Sequence, residues 1–337
     1  MSIIQQDISL KAFNTFGIDA RAAFYAKINQ VDDIYGCLDL AKNKPLFVLG
    51  GGSNVLFTDH VDGLTLHMAT RGISYTADDK FHYVEACAGE HWHDLVIDTL
   101  EHKIGGLENL SLIPGQVGAA PIQNIGAYGV ELCDVFHSLT ALHIPTLELH
   151  KFDLNDCRFG YRSSIFKTTE KGQYIILSVK LALAKSHTPV TSYGDIERKL
   201  QEMNVVSPNA YDVSRAVIQI RQSKLPNPAQ IGNAGSFFKN PVVPFFKYES
   251  LKIKYAEMPS FMLESGDVKI PAGWLIEKAG WKGRRVGNCG VHTKQALVLV
   301  NYGEATGREI LNLAQTIQND IHDCFGIKLE MEVNVIG

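Results

Sequence analysis

GGLENLSLIPGQVGAAPIQNIGAYGVEL, residues 105–132, is the stretch on which the reading of the fold turns. It holds glycines at 105, 106, 115, 118, 126 and 129, with Pro114 and Pro121. So long a glycine-bearing loop inside a compact chain is usually functional and seldom a mere connection. Short side chains at Ala119 and Ala120 keep its backbone accessible. Gln123 and Asn124 offer amide donors and acceptors to a heterocycle or a pyrophosphate. A purely structural Ω-loop can have the same composition, so composition alone leaves both readings open.

Upstream, the chain alternates strand and helix. FYAKI (24–28) reads as a strand, VDDIYGCLDLAKN as a helix with acidic residues in its first turn, and PLFVLG (45–50) as a buried strand that stops at glycines. The turn that follows, LGGGSN (49–54), lets the backbone approach a ligand. Its amides, with the Ser53 hydroxyl and the Asn54 amide, can form an anion nest. Neither a dinucleotide-binding nor a P-loop glycine spacing is present. GLTLHMA and FHYVEACAG read as strands, and HWHDLVIDTL as a helix.

Downstream, VFHSLTALHI, LELHKFD and YIILSVKLAL read as strands of a mixed sheet. Residues 186–230 form a connecting region with one helix, DVSRAVIQIRQSK. Residues 231–325 read as a separate α+β unit. Its last helix puts Ile310, Leu313, Ala314, Ile317, Ile321 and Phe325 on one face and ends at Gly326. IKLEMEVNVIG reads as a final alternating strand, with Leu329, Met331, Val333 and Val335 on one face.

The chain has 337 residues, a formal net charge of −4 and 45% hydrophobic residues. That length suits two or three domains. With no large basic block, nucleic acid is not expected as a partner. No apolar run is long enough for a membrane span, and no secretory signal stands at the start, so a cytoplasmic location is expected. The six cysteines lie far apart and read as reduced thiols, mostly buried. His91 and His93 lack ligand partners, so no metal site is expected.

NTFGI (14–18), the two glycine loops, CRFGYRSSIFK (157–167), TSYGD (191–195), SKLPNP (223–228), NAGSFFKNP (233–241), AGWLIE (272–277), HTKQALVLVN (292–301) and EVNVIG (332–337) follow one another over nearly the whole chain. In this order they resemble the UDP-N-acetylenolpyruvoylglucosamine reductase family. QNIGAYG and AGSFFKNP are the most specific blocks, and TSYGD points to the longer, type I form. The resemblance implies an α+β protein. An FAD-binding fold of the vanillyl-alcohol-oxidase (PCMH) type would occupy two subdomains, residues 1–68 (with the strand 327–337 returning to it) and 69–225. A third, substrate-binding domain would span 226–326.

It also implies the chemistry. FAD would contact Gly50, Gly51, Gly52, Ser53 and Asn54, then Pro114, Gly115, Gly118, Ala119, Ala120, Gln123, Asn124, Gly126, Ala127, Tyr128 and Gly129. NADPH would be the reductant and UDP-N-acetylglucosamine enolpyruvate the substrate of a monomeric enzyme. A hydride would pass from flavin N5 to C3 of the enolpyruvyl group, and Ser236 would give a proton to C2. Arg162 and Glu332 would stabilise the enolate between these steps. Tyr161, Tyr193, Lys224, Asn240 and Gln295 match substrate-pocket positions. Taken alone, Ser236 reads as a turn hydroxyl, Arg162 as a surface arginine and Glu332 as an exposed strand carboxylate, with Glu330 its rival. The alternatives are a flavin oxidase or dehydrogenase of a sugar, lactone or hydroxy acid, and a non-catalytic nucleotide-sugar-binding module.

Overall fold

The strand Tyr174–Ala184 forms because its apolar side chains recur with period two: Ile175, Leu177, Val179, Leu181 and Leu183 are all buried. It is the centre of a five-stranded sheet in the computed structural model, which describes residues 4–40 and 44–337. Phe136–His143 and Leu149–Asp153 pair on one side of it, Phe81–Cys87 and Ile73–Ala77 on the other. Every pairing is antiparallel, which corrects the expected mixed sheet. Short turns dictate this for Phe136–His143 with Leu149–Asp153 and for Ile73–Ala77 with Phe81–Cys87, since a parallel pair needs a long crossover.

The chain divides into two units. The first comprises residues 1–8, 22–51 and 62–223. Besides the five-stranded sheet it holds a four-stranded one in the order Ile4–Ser9, Arg21–Ile28, Val61–Met68, Leu46–Leu49. The last two strands are parallel, with Leu49 opposite His67, and they aim the first glycine turn off their ends. The helix Trp92–Glu101 buries Trp92, Leu95, Val96 and Thr99. The Trp92 indole donates to the Leu110 carbonyl at 3.1 Å, which ties the helix to the second glycine loop.

The connecting region holds two helices, Ile196–Glu202 and Ala210–Lys224. The first is an addition to the sequence reading. It is one apolar stripe short of a recognisable pattern, for only Ile196 and Leu200 are buried. These helices share a small core of Ile196, Leu200, Val213, Ala216, Val217 and Ile220, on which Tyr128 packs.

The second unit comprises residues 9–21, 52–61 and 224–337. An antiparallel sheet runs Gly232–Ser236, Val298–Asn301, Cys289–Val291, Arg285–Val286. The helix Gly307–Phe325 buries the expected face, starts at a Thr306–Glu309 capping box and stops at Gly326 in the left-handed region. The tail departs from the expected single strand. Leu329 and Val333 are buried, but Val335 is exposed, and only Asn334–Ile336 is a strand. It pairs in parallel with Val55–Phe57. The alternation breaks because residues 330–332 first run beside Phe237–Lys239 and only then turn to a new partner.

The cysteines are free thiols. Cys37, Cys157 and Cys289 are buried, Cys87 and Cys133 partly so, and Cys324 is exposed, so half rather than most are inside. Among the described residues no helix is long and apolar enough to cross a membrane.

Candidate active site

In the first unit the two glycine loops touch. A methyl group on Gly51 would lie 3.1 Å from Gly115 Cα, and one on Gly50 would lie 3.2 Å from Gln116 Oε1 and 3.7 Å from Ala119 Cβ. At Gly51 the neighbour is backbone, so a side chain there would require the two loops to part by a few tenths of an ångström. The amides of Gly51 and Gly115 donate to no acceptor among the described residues. Two unspent, half-buried N–H groups at the meeting of two loops suit an anion. This donor set fits a pyrophosphate such as that of FAD.

The rest of the second loop is fixed from within. Val117 N donates to Glu90 O at 2.8 Å, and Gly118 N to Ala88 O at 2.9 Å. Short 3-10 turns cover Val117–Ala119 and Pro121–Gln123, with Asn124 left-handed after them. Asn124 is fully buried. Its amide nitrogen donates to Glu131 at 2.8 Å and to Gly160 O at 3.3 Å, and its oxygen accepts from Cys133 N at 3.0 Å. The loop itself uses most of that side chain's hydrogen-bonding capacity. Gln123 accepts from Lys167 Nζ at 3.4 Å.

Gly126–Ala127 and Val130–Glu131 form a hairpin whose tip is Tyr128 and Gly129, both at positive φ. A second tight turn, closed by paired bonds between Gly160 and Ser163, carries Tyr161 and Arg162 at its tip. Arg162 Nη2 donates to the Gly126 carbonyl at 2.6 Å, and Nη1 stands 3.8 Å from Glu131. The guanidinium is thus half-buried and locked to the hairpin. A methyl on Gly126 would lie 3.1 Å from it. Tyr193 flanks the hairpin tip, 3.2 Å from where a Gly129 methyl would be.

At the start of this loop, Glu108 is buried. It bonds His187 and accepts from Gly106 N at 2.6 Å. Burial pushes its carboxyl up, but the His187 bond and the Gly106 amide outweigh this and hold it below its ordinary 4.5. A depressed folded value stabilises the fold above pH about 4.5 and loses that contribution as pH falls through the lowered value. Glu108→Gln should therefore flatten the acid limb of the stability–pH curve below pH 5 and lower the melting temperature at neutral pH. Urea unfolding between pH 3 and 7 checks this; parallel curves for the two proteins would contradict it.

In the second unit, Ser236 stands at a bulge. Asn233 is opposite Val300 and Ser236 opposite Val298, so one strand carries an extra residue, and Gly235 is left-handed at φ +69°. Asn233 Oδ1 caps the Gly235 amide at 3.0 Å. Such a bulge re-aims the following side chain. The Ser236 hydroxyl, half-buried, bonds no group among the described residues, unlike a turn serine.

Glu332 N donates to Phe237 O at 2.8 Å, which pairs Glu332 with the residue that follows Ser236. Its rival is spent elsewhere: Glu330 is exposed and pairs with Lys239 at 3.2 Å. Asn54 is also held to the tail. Its side-chain amide donates to the Glu332 carbonyl at 3.3 Å, and its own carbonyl takes Asn334 N at 3.1 Å, so it anchors the tail. Gly52 O accepts from Thr15 N at 3.1 Å, which fixes the turn ahead of Ser53.

Asn240 and Gln295 come together at the start of the helix Ala272–Lys278. Asn240 accepts from Ala272 N at 2.9 Å, and Gln295 Oε1 lies 3.3 Å from where a Gly273 methyl would be. Lys224 ends its helix and is exposed. Trp274 packs on Phe325, and the Trp281 indole donates to Asp320 at 2.9 Å. Among the described residues no group of three or more His, Cys, Asp or Glu could hold a metal ion. Sequence reasoning did not single out Gln116 Oε1 or Arg221 Nε, which are buried without a hydrogen-bond partner among the described residues.

Two family profiles match the chain. An FAD binding domain covers residues 22–151, and the C-terminal domain of UDP-N-acetylenolpyruvoylglucosamine reductase covers 227–336. UDP-N-acetylenolpyruvoylglucosamine reductase of Flavobacterium johnsoniae is 51% identical over 335 residues, 99% of either chain. Its counterpart in Pseudomonas aeruginosa is 50% identical over 337 residues, 98% of either chain. The crystal structure of this reductase from Thermus caldophilus superposes with a TM-score of 0.68 at 23% identity, covering 99% of this chain and 100% of that one, and supports the fold.

Proposed function

The chain belongs to the UDP-N-acetylenolpyruvoylglucosamine reductase family, and from that premise we propose that it uses NADPH to reduce UDP-N-acetylglucosamine enolpyruvate to UDP-N-acetylmuramate for peptidoglycan synthesis. FAD, for which the chain has the binding domain, supplies the hydride chemistry that no side chain can. The chain's own residues must then manage a carboxylate, an electron-rich carbon and a proton.

Arg162 takes the substrate carboxylate. A planar guanidinium can hold both oxygens at once, and the bond to Gly126 O keeps it oriented at little entropic cost. Ser236 gives the proton to C2. A serine hydroxyl is a weak acid, so it serves only against a strongly basic carbon and with neighbours that steady the alkoxide it leaves. Glu332, protonated, donates a hydrogen bond to the developing enolate. Tyr161, Tyr193, Lys224, Asn240 and Gln295 bind the UDP-sugar. The two FAD-binding subdomains and the third, substrate-binding domain, at the boundaries given above, are part of this reading.

The observation that supports it is the bulge at Ser236, whose hydroxyl bonds no group among the described residues, with Glu332 paired to the next residue, Phe237. The test is anaerobic. NADPH should bleach the bound flavin, and the UDP-sugar should restore its colour in one equivalent. Bleaching without recovery, with oxygen uptake in the presence of sugars or hydroxy acids, would turn the case to a flavin oxidase.

A further inference from the structure

Three segments of the first unit meet around a cavity of about 220 Å³: the end of the helix Trp92–Glu101, the turn after the strand Tyr174–Ala184, and the start of the helix Ala210–Lys224. Lys103, Lys185, His82 and His187 line it, with Asn209 and Ala210, and none of the lining residues is a carboxylate. The whole chain has 36 acidic residues against 32 lysines and arginines, so this wall departs from the average surface. Neither lysine forms an ion pair or a side-chain hydrogen bond among the described residues. Asp78 lies near Lys185, but its carboxylate is spent on the N–H groups of Lys80 and Phe81, both at 2.8 Å, and on the Tyr83 hydroxyl.

The walls are fixed. His187 bonds the buried Glu108 through Nε2, and Glu108 also takes Gly106 N, so the ring is held and the carboxylate behind it is spent. A methyl on Gly105 would lie 2.7 Å from His187 Cδ2 and 3.0 Å from Ala210 Cβ, so the three segments converge at bare backbone. Asn209 and Asp212 cap the helix: Asp212 N donates to Asn209 Oδ1 at 3.1 Å, and Asn209 N to the Asp212 carboxylate at 3.2 Å. This turns the helix's own acidic side chain back on the chain. It leaves Ala210, the first helical residue, with an N–H that donates to no acceptor among the described residues. Two ammonium groups, a braced imidazole and the positive end of a 15-residue helix thus share one cavity. Donors that converge from three segments suit a tetrahedral oxyanion.

We propose that this cavity binds a phosphate group, free or as the monoester of a small molecule, at a site other than the one proposed for the UDP-sugar. Lys224, expected at the UDP-sugar, ends the same helix, roughly 20 Å from Ala210 by the rise of an α-helix. The segments around the cavity also hold the glycine-loop hairpin. Asn109 Nδ2 donates to Tyr128 O and to Val190 O, each at 2.9 Å, and the Ser111 and Ser214 hydroxyls bond at 2.8 Å. A bound phosphate therefore joins parts of the chain that brace one another, and it stabilises the folded state.

The test melts the holoenzyme in rising inorganic phosphate, in glycerol 3-phosphate and in chloride, all at equal ionic strength. Phosphate should raise the melting temperature several degrees above chloride, with a saturable dependence on concentration. An equal response to glycerol 3-phosphate would identify the ligand as an ester, and a response to phosphate alone as the free ion. Lys103→Gln and Lys185→Gln are surface changes and should melt within about a degree of wild type in chloride. Each should weaken the phosphate midpoint about fivefold, the worth of one exposed charge contact. Ala210→Pro removes the unspent N–H at a position where proline suits a helix start, so it should weaken phosphate binding without loss of stability. Neither phosphate nor the ester exceeding chloride would overturn the proposal. So would a phosphate response that survives Lys103→Gln and Lys185→Gln together, since the anion would then bind elsewhere.

Discussion

Ser236→Ala is expected to slow reoxidation of the reduced flavin by the UDP-sugar about a thousandfold while leaving its reduction by NADPH within about twofold. The magnitude follows from general-acid catalysis, which contributes roughly 10²–10⁴ when a donor is held in place. The asymmetry follows from the site. NADPH gives up a hydride and asks for no proton at carbon, whereas the enolpyruvyl group needs one at C2. The Gly235 bulge stays intact in the variant, because the backbone turn depends on Gly235 and on the Asn233 cap rather than on the hydroxyl. A loss of fold would therefore be a poor excuse for lost turnover, and an unchanged melting curve would make that explicit. Ser236→Cys, which keeps a proton on a different atom, should lie between alanine and wild type. Stopped-flow measurement of the two half-reactions decides. Equal slowing of both would remove Ser236 from the proton-donor role.

That bulge also marks where sequence reading stops. NAGSFFKNP named the serine through its resemblance, but not why its side chain leaves the regular strand. The reason is a register change against Val298–Asn301, sixty-odd residues away in sequence, and no local pattern carries it. The same limit appears in the tail. Leu329 and Val333 obey the alternation because they face one core, and Val335 does not because its partner has become Val55–Phe57. Periodicity reports burial, and it fails at the residue where the burying partner changes. Where one partner persists, as for Gly307–Phe325 or Tyr174–Ala184, the pattern and the element coincide.

Among the candidate ligands, two amides have bonds within the fold that the sequence does not announce. Asn124 and Asn54 stand in loops rich in glycine, and both look ligand-facing in sequence. The fold spends one on Glu131, Gly160 and Cys133 and the other on the Glu332 carbonyl. A loop with few side chains has few means of holding its own shape, so the polar ones it keeps are drawn inward. Glycine pairs such as Gly51 and Gly115 mislead less, because their use is set by the absence of atoms.

The contact that holds the second loop to its sheet allows the sharpest structural test. A methyl on Gly118 would sit 2.5 Å from Ala88 Cβ, 3.0 Å from Ala88 Cα and 3.2 Å from its carbonyl oxygen. That carbonyl is also the acceptor for Gly118 N, so the two backbones cannot part without losing the 2.9 Å bond. Ala88 cannot retreat, because its own N donates to Leu177 O at 2.8 Å inside the sheet. Overpacking at such a site costs about 1–3 kcal/mol, and here the strain falls on the loop that meets Gly50 and Gly51. Gly118→Ala should therefore purify with little or no flavin and melt several degrees lower. The crowding comes chiefly from one Cβ, so Ala88→Gly in the same chain should restore part of both properties, although Ala88→Gly alone slightly destabilises. A double-mutant cycle would then show a coupling of about 1 kcal/mol or more. Additive effects, or a Gly118→Ala protein that keeps its full complement of flavin, would mean that the loop is held by something other than its contact with Ala88.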